Sequence, residues 1–454
     1  MKKWIGLIIL MGMGVGSAYG AAVDTFGIGA KATALGGAFT AYADDVFAIY
    51  YNPGGLTQLE GPVFSAGIHV IDPTLKVDNF TVEADEITSP FGSTFNASAG
   101  PADFEDESDT LPVPHMGFAM PVGDRLAMGV ALYAPFGLHI KWDQDLEKNP
   151  AALHYYESWY TRVAVTPTIA YKVSDNLSVG FGISFGRSEA GEERLLNYPG
   201  LPAGLFGDIA FGSHIKADLV DDLNYSANIG VFYKPFDHLS LGLTYRGRAD
   251  TDFEGYLYVD GKKWKAADGR NTKLKLDYDH PDQLQVGLRY ITIHNFSVET
   301  DVVWTHWSVG DEQNTSISPA FLGRKDRAIH NRDWHDTVQV RLGVEWAWDE
   351  MFTFRGGYFY DPSPIPDETF DMMWPDGDRK TYSLGVGVNL GKFVIDGILE
   401  YALSEGKREI GGETDNMNHS YNPYEPLGLD NDARVSLSAE GYLWACGLTV
   451  SYQF

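Results

Sequence analysis

Short runs of alternating apolar and polar residues, joined by connectors that are by turns very short and very long, dominate this chain. In the last run, every second residue from Tyr442 through Trp444, Cys446, Leu448, Val450 and Tyr452 to Phe454 is large or apolar. Successive strand residues point to opposite faces, so this pattern describes a strand with one greasy and one wet side. Its length suits a tilted bilayer crossing.

Fourteen such runs can be counted, over 62–71, 113–121, 125–135, 161–173, 176–187, 224–234, 238–248, 283–291, 294–306, 335–348, 350–361, 379–390, 392–404 and 441–454. Every second connector is tiny, as in Val122-Gly123-Asp124, Ser174-Asp175, Pro235-Phe236-Asp237 and the lone Gly391. The others run from about 17 to 41 residues. Short turns on one side, long loops on the other and an even strand count predict an all-β fold, a fourteen-stranded antiparallel transmembrane β-barrel of the bacterial outer membrane. A soluble sandwich also alternates, but nothing in it requires loop lengths to alternate in step.

The 50 Gly, 25 Tyr, 25 Phe and 11 Trp suit close-packed strands and interfacial girdles. No internal apolar run reaches the roughly eighteen residues of a membrane-spanning helix. At the N-terminus, Met1-Lys2-Lys3 is a basic start, Trp4 to Val15 an apolar stretch and Ala18-Tyr19-Gly20 a small-x-small site. Together they predict a signal peptide over 1–20, cleaved after Gly20 or, as second choice, after Ala22. The single cysteine, Cys446, excludes an intrachain disulfide.

The net charge of -28 gathers in the long connectors, for example Asp103-Phe104-Glu105-Asp106-Glu107-Ser108-Asp109. Solvation and mutual repulsion of loop tips explain it; a divalent-ion bridge to anionic outer-leaflet lipid or lipopolysaccharide is the sharper alternative. So acidic a surface argues against nucleic acid as a partner.

Residues 21–61 do not alternate. Gly27-Ile28-Gly29-Ala30-Lys31-Ala32-Thr33-Ala34-Leu35-Gly36-Gly37-Ala38 is small and glycine-rich, and Asn52-Pro53-Gly54-Gly55 forces turns. Small residues let a helix-turn unit pack inside a narrow lumen, so 21–61 reads as a plug with short helices, and 62–454 as the barrel.

Two enzyme-like strings are set aside. Gly182-Ile183-Ser184-Phe185-Gly186 matches a nucleophile elbow but lies within an alternating strand. Gly27-Ile28-Gly29-Ala30-Lys31-Ala32 resembles a dinucleotide loop but follows no strand. The twelve histidines show no metal spacing, so neither metal nor cofactor is expected, and no catalytic constellation emerges.

Ala43-Asp44-Asp45 followed by Asn52-Pro53, then Pro135-Phe136-Gly137-Leu138, Trp304-Thr305-His306-Trp307-Ser308, Asp361-Pro362-Ser363-Pro364-Ile365-Pro366 and the strand Leu241-Gly242-Leu243-Thr244-Tyr245-Arg246 occur in an order that resembles the FadL/TodX family of outer-membrane channels for hydrophobic compounds. The resemblance spans the mature chain. It implies a hatch-plugged, fourteen-stranded barrel that passes long-chain fatty acids or aromatic hydrocarbons, not an enzyme, and a monomer. It also implies capture in a groove among the outer loops, a lumenal pocket, hatch rearrangement, and sideways exit beside a kinked third strand. Where the family usually has Asn-Pro-Ala, this chain has Asn52-Pro53-Gly54, a more flexible hatch turn.

Read onto that scheme, Gly129 is the expected kink and Pro135, which cannot donate, the expected break in strand three; the alternative is that Gly129 is one of many barrel glycines and Pro135 simply ends the strand. Phe136, Leu138, Ile140, Trp142 and Trp159 are the expected capture surface, exposed to water on a long loop; an aromatic belt at the lipid interface with self-packing of the loop is the alternative. With the apolar faces outward, Arg162, Arg289, Arg341 and Arg355 point into the lumen with Glu299, Asp301, Glu345, Asp396 and Glu400. Most should pair with one another. One or two of the arginines would hold a carboxylate. A barrel serving as an adhesion or assembly platform, its plug permanently closed, is the alternative from another class; an outer-membrane lipid hydrolase would need a partner for Ser184.

Overall fold

The computed structural model describes residues 27–201, 210–265, 269–292, 295–318, 327–404 and 406–454. The expected signal peptide, with both cleavage sites, lies outside them. All fourteen expected strands form: β1 Val63–Glu83, β2 Leu111–Val122, β3 Leu126–Lys141, β4 Glu157–Ser174, β5 Leu177–Leu195, β6 His214–Phe236, β7 Leu239–Arg246, β8 Gln283–Ile291, β9 Phe296–Thr305, β10 Thr337–Ala347, β11 Phe352–Asp361, β12 Arg379–Asn389, β13 Phe393–Ser404 and β14 Arg434–Gln453. Each pairs antiparallel with its chain neighbour, and β1 pairs with β14 from Val63↔Gln453 onward, which closes a fourteen-stranded barrel. Closure is obligatory where lipid offers no partner to an unpaired strand edge.

Alternation sets the facing. On β4, Val163, Val165, Ile169 and Tyr171 are exposed on the outside, while Ala164, Thr166, Thr168 and Ala170 are buried inside. Cys446 faces outward among the apolar residues of β14, as expected.

The strands overrun the runs legible in sequence. β1 has 21 residues and β6 has 23, on the order of 70 Å or more at ~3.3 Å per residue, against a hydrocarbon core of about 30 Å. The first half of several long connectors therefore continues the barrel wall. Above the membrane, β6 pairs with Asp252–Val259, which leads through Lys273–Asp277 to Glu312–Ser318. Two apolar clusters fill this upper region. One holds Phe136, Tyr160, Phe253, Trp307, Trp334 and Trp374; the other holds Phe80, Ile140, Trp142, Tyr156, Phe370 and Tyr421.

Inside the wall lies the segment from Gly27 to Leu59, with helices α1 Ala30–Ala34 and α2 Ala48–Tyr51 and a 3-10 turn over Pro53–Gln58. Its alanines 30, 32, 34, 38, 41, 43 and 48 are all buried. Small side chains on both surfaces let the backbones meet: a Cβ at Gly180 of β5 would lie 2.3 Å from the Pro53 carbonyl carbon, and one at Gly242 of β7 would lie 2.0 Å from the Thr40 oxygen. The glycine of the Asn52-Pro53-Gly54 turn has the same logic, since a Cβ there would lie 3.1 Å from both Gly230 O and Phe232 N on β6.

The expected kink does not fall at Gly129. That residue keeps regular register on both sides, opposite Ala119 and Thr168. Its missing side chain instead makes room for Ile49 of the lumenal segment, whose Cδ1 would lie 3.0 Å from an added Cβ. The irregularity comes between Tyr133 and Phe136, where the β3–β4 register shifts. Pro135 and Phe136 are consecutive and both buried, so the inward face passes from odd to even positions there. The β2–β3 register also ends here, at Met116↔Leu132.

Candidate functional site: a lumenal cavity above the buried N-terminal segment

Carboxylates on the wall hold the backbone of the N-terminal segment. Asp301 Oδ2 accepts from the backbone N–H groups of Phe39 and Thr40, both at 3.0 Å, and Glu299 Oε1 from that of Ala41 at 2.7 Å. Asn52 acts as a three-way tie: its Nδ2 donates to Thr40 O and Val231 O at 2.7 and 2.9 Å, and its Oδ1 accepts from Gly54 N. Thr449 Oγ1 accepts from Ala30 N at 2.9 Å and contacts His115 Nε2 at 2.8 Å, while the neighbouring His69 Nδ1 meets Gly27 O at 3.2 Å.

Four lumenal arginines were expected, and all four point inward. Arg289 and Arg355 converge on Glu345, at 3.1 and 2.8 Å, and Arg355 also reaches Asp396 at 2.6 Å. Tyr42 of the segment donates to the same Glu345 at 2.8 Å. Arg341 binds Gln339 Oε1 at 2.6 Å and Gly37 O at 3.3 Å. These three are structural ties. Arg162 has a neutral partner: Nε donates to Asn224 Oδ1 at 2.8 Å, and its buried Nη2, like the Nε of Arg289, has no hydrogen-bond partner among the described residues.

Arg162 lines a narrow cavity together with Tyr50, Tyr133, Phe136, Arg246 and His280, and with Asn228, Ser184 and Pro135. None of the residues lining it is acidic. The lumenal segment forms part of the floor through Tyr50. Phe136 stacks on His280 with ring centroids 4.5 Å apart. Beyond His280, edge-to-face and tilted contacts run through Tyr160, Trp374, Trp334 and Trp307 into the extracellular cluster. Ser184 faces inward and is buried. The ring nitrogens of His280 lie against Tyr160 Oη at 2.9 and 3.1 Å and Ser188 Oγ at 3.3 Å.

The expected capture surface is placed differently from the sequence reading. Phe136, Ile140 and Trp142 are buried and Leu138 half-buried, all packed in the two extracellular clusters, because the shift at Pro135 turns even-numbered residues of β3 inward. Trp142 Nε1 donates to Met372 O at 3.4 Å. Trp159 is half-buried on the other face of β4, with Lys216 Nζ 4.6 Å from its ring centroid. Burial also governs ionisation in the connectors: it pushes the Asp376 carboxyl up to about 6 and the His154 imidazole down to about 3.

Sequence reading missed Arg246, Tyr50, Asn228 and His280. Arg246 and Asn228 were findable, since each shares parity with inward neighbours such as Thr244 and Gly230. His280 lies in a long connector without periodicity and carried no signal.

Comparison with known proteins agrees with this architecture. The sequence model of the family described as "Outer membrane protein transport protein (OMPP1/FadL/TodX)" matches residues 9–454. The long-chain fatty acid transport protein of Escherichia coli K12 is 23% identical over 456 residues, 93% of each chain. Outer membrane protein P1 of Haemophilus influenzae is 24% identical over 442 residues, 91% of each. Among solved structures, a Pseudomonas aeruginosa FadL homologue superposes with a TM-score of 0.74 at 18% identity, covering 96% of this chain and all of that one. The Ralstonia pickettii toluene transporter TbuX gives 0.66 at 18%, covering 94% and 98%. A family match across nearly the whole chain, together with a closed barrel of fourteen strands, means that this protein belongs to the OMPP1/FadL/TodX family of outer-membrane transport proteins.

Proposed function

We propose that this barrel passively admits long-chain fatty acids or related amphiphiles with one anionic head, gripping the head in the lumenal cavity. One observation carries the reading: two guanidinium groups, Arg162 and Arg246, line one cavity that no acidic residue lines. A carboxylate would satisfy the open donor of Arg162 through a charge-assisted hydrogen bond. The tail would lie along Phe136 and the aromatic series above it. Binding must stay weak enough for release. Each buried methylene is worth ~0.8 kcal/mol, so a tail of about fifteen held in one perfect pocket would gain roughly 12 kcal/mol and scarcely leave. A narrow cavity followed by further apolar sites avoids that trap.

In this scheme residues 1–20 are removed, 21–61 form the hatch, and the monomeric barrel sits among outer-membrane lipid and lipopolysaccharide. Movement of the hatch opens the path, and cargo leaves sideways between β2 and β3, above the end of their register and beside Pro135. A second reading, uptake of aromatic hydrocarbons, is favoured by the continuous aromatic series from Trp307 to Phe136.

Titrating detergent-purified barrel with radiolabelled palmitate and with toluene separates the two. Saturable palmitate binding that Arg162→Gln weakens by about tenfold or more supports the acid reading. Toluene binding alone would replace it with the hydrocarbon reading; binding of neither would favour the closed platform.

A further inference from the structure

Arg246 belongs to the cavity and to the lumenal segment at once. Its Nη1 donates to the carbonyl of Tyr50 at 2.8 Å, and its Cζ lies 4.1 Å from the centre of the Tyr50 ring. Nε and Nη2 share Gln283 Oε1 at 3.2 and 2.8 Å, and Nη2 reaches Gln285 Oε1 at 3.3 Å. Every acceptor is neutral. A second cavity-lining group, Asn228, donates through Nδ2 to Ile49 O at 2.6 Å. The last two carbonyls before Tyr51 are thus held by side chains that also line the cavity.

The end of α2 is tied onward to the start of the segment. Tyr51 Oη accepts from Ile28 N at 3.1 Å, and its ring packs edge-on against Phe39 at 5.4 Å. Loosening Tyr50 and Tyr51 would therefore loosen the segment at both ends of its fold.

We propose that Arg246 is the positioning residue that couples occupancy of the cavity to release of the lumenal segment, a step that rests on the anionic-head reading above. An anion beside Arg162 offers Arg246 an acceptor of opposite charge in place of the neutral Tyr50 carbonyl, and a guanidinium can meet a carboxylate with two parallel hydrogen bonds where the carbonyl takes one. The guanidinium turns to the anion, Tyr50 loses its tie, and the last turn of α2 frays. The coupling is reciprocal: a segment already released leaves Arg246 free and raises affinity for the anion. A neutral cargo of equal length binds the same apolar walls but leaves Arg246 on Tyr50.

The test is hydrogen exchange of the backbone amides of residues 48–58 in the purified full-length protein, with saturating palmitate, saturating hexadecanol or neither. Palmitate is expected to speed exchange in wild type by about tenfold, the factor a lost charge-assisted hydrogen bond is worth, and hexadecanol to leave it unchanged. In R246Q, exchange should be fast without cargo and indifferent to palmitate. R246K keeps the charge but not the fork and should respond partially, which guards against misfolding of the glutamine variant. Palmitate bound with no change at 48–58 would overturn the coupling and leave the anionic site intact; no palmitate binding in wild type would overturn both.

Discussion

The side-chain amide of Asn52 donates to the backbone carbonyl of Val231, 2.9 Å away and 179 positions along the chain. A residue of the lumenal segment thereby claims a carbonyl of the barrel wall. Replacing Asn52 with alanine removes this bond, the bond to Thr40 O and the cap on Gly54 N together. A cost of about 1–3 kcal/mol is expected for each acceptor left buried without a donor. Exchange of amides 54–58 should rise while barrel amides keep their protection; unchanged exchange would show that the tie contributes nothing.

Gly180 is the wall position opposite Pro53. Gly180→Ala places a methyl about 2.3 Å from backbone that cannot yield. The barrel should still fold, because the added methyl faces the lumen, but the segment should undock. Raised ion conductance of single barrels in planar bilayers would report it, and wild-type conductance would argue against close docking here.

The lumenal arginines should separate by phenotype. Arg355 completes a buried group with Glu345, Asp396 and Arg289, and removing one member of such a group typically costs about 3–5 kcal/mol. Arg355→Gln should therefore lower the unfolding temperature of the barrel with little change in palmitate affinity, whereas Arg162→Gln should do the reverse. Similar losses of affinity in both would dissolve the distinction.

Sideways exit depends on the strip above Met116↔Leu132. Pro114 and Ala134 would be the next outward-facing pair if the register ran on. Cysteines at both positions, in a Cys446→Ser background, can be oxidised to a bridge. Oxidation should stop palmitate uptake without preventing binding, and reductant should restore it. Uptake that persists with the bridge formed would place the exit elsewhere.

Asp376 lies in the connector between β11 and β12, where Ser363 Oγ donates to it at 2.7 Å. Burial raises its folded value to about 6, above its ordinary value. The folded state binds this proton more tightly than the unfolded, so the contribution is full below about pH 4 and is lost as pH rises through about 6. Protease nicking of 362–378 should increase over that interval, and Asp376→Asn should flatten the profile.

Strand count, the facing of the membrane-embedded strands and the inward set of charges are all legible in the chain alone. Each follows from a period of two, a property of residues next to one another in the chain. The inward placing of Arg162, Arg289, Arg341 and Arg355 needed nothing more. Which of them is already satisfied depends on contacts between strands, since Glu345 and Asp396 reach Arg355 from β10 and β13. The shift at Pro135 was equally invisible: a single extra residue reverses parity, and so turned Phe136, Ile140 and Trp142 from an expected wet surface into core. His280 and the extracellular aromatic series come from connectors with no repeat, where placement depends wholly on what the distant wall presents to them. Local alternation fixes a barrel; long-range contact decides which of its polar groups remain free to meet a cargo.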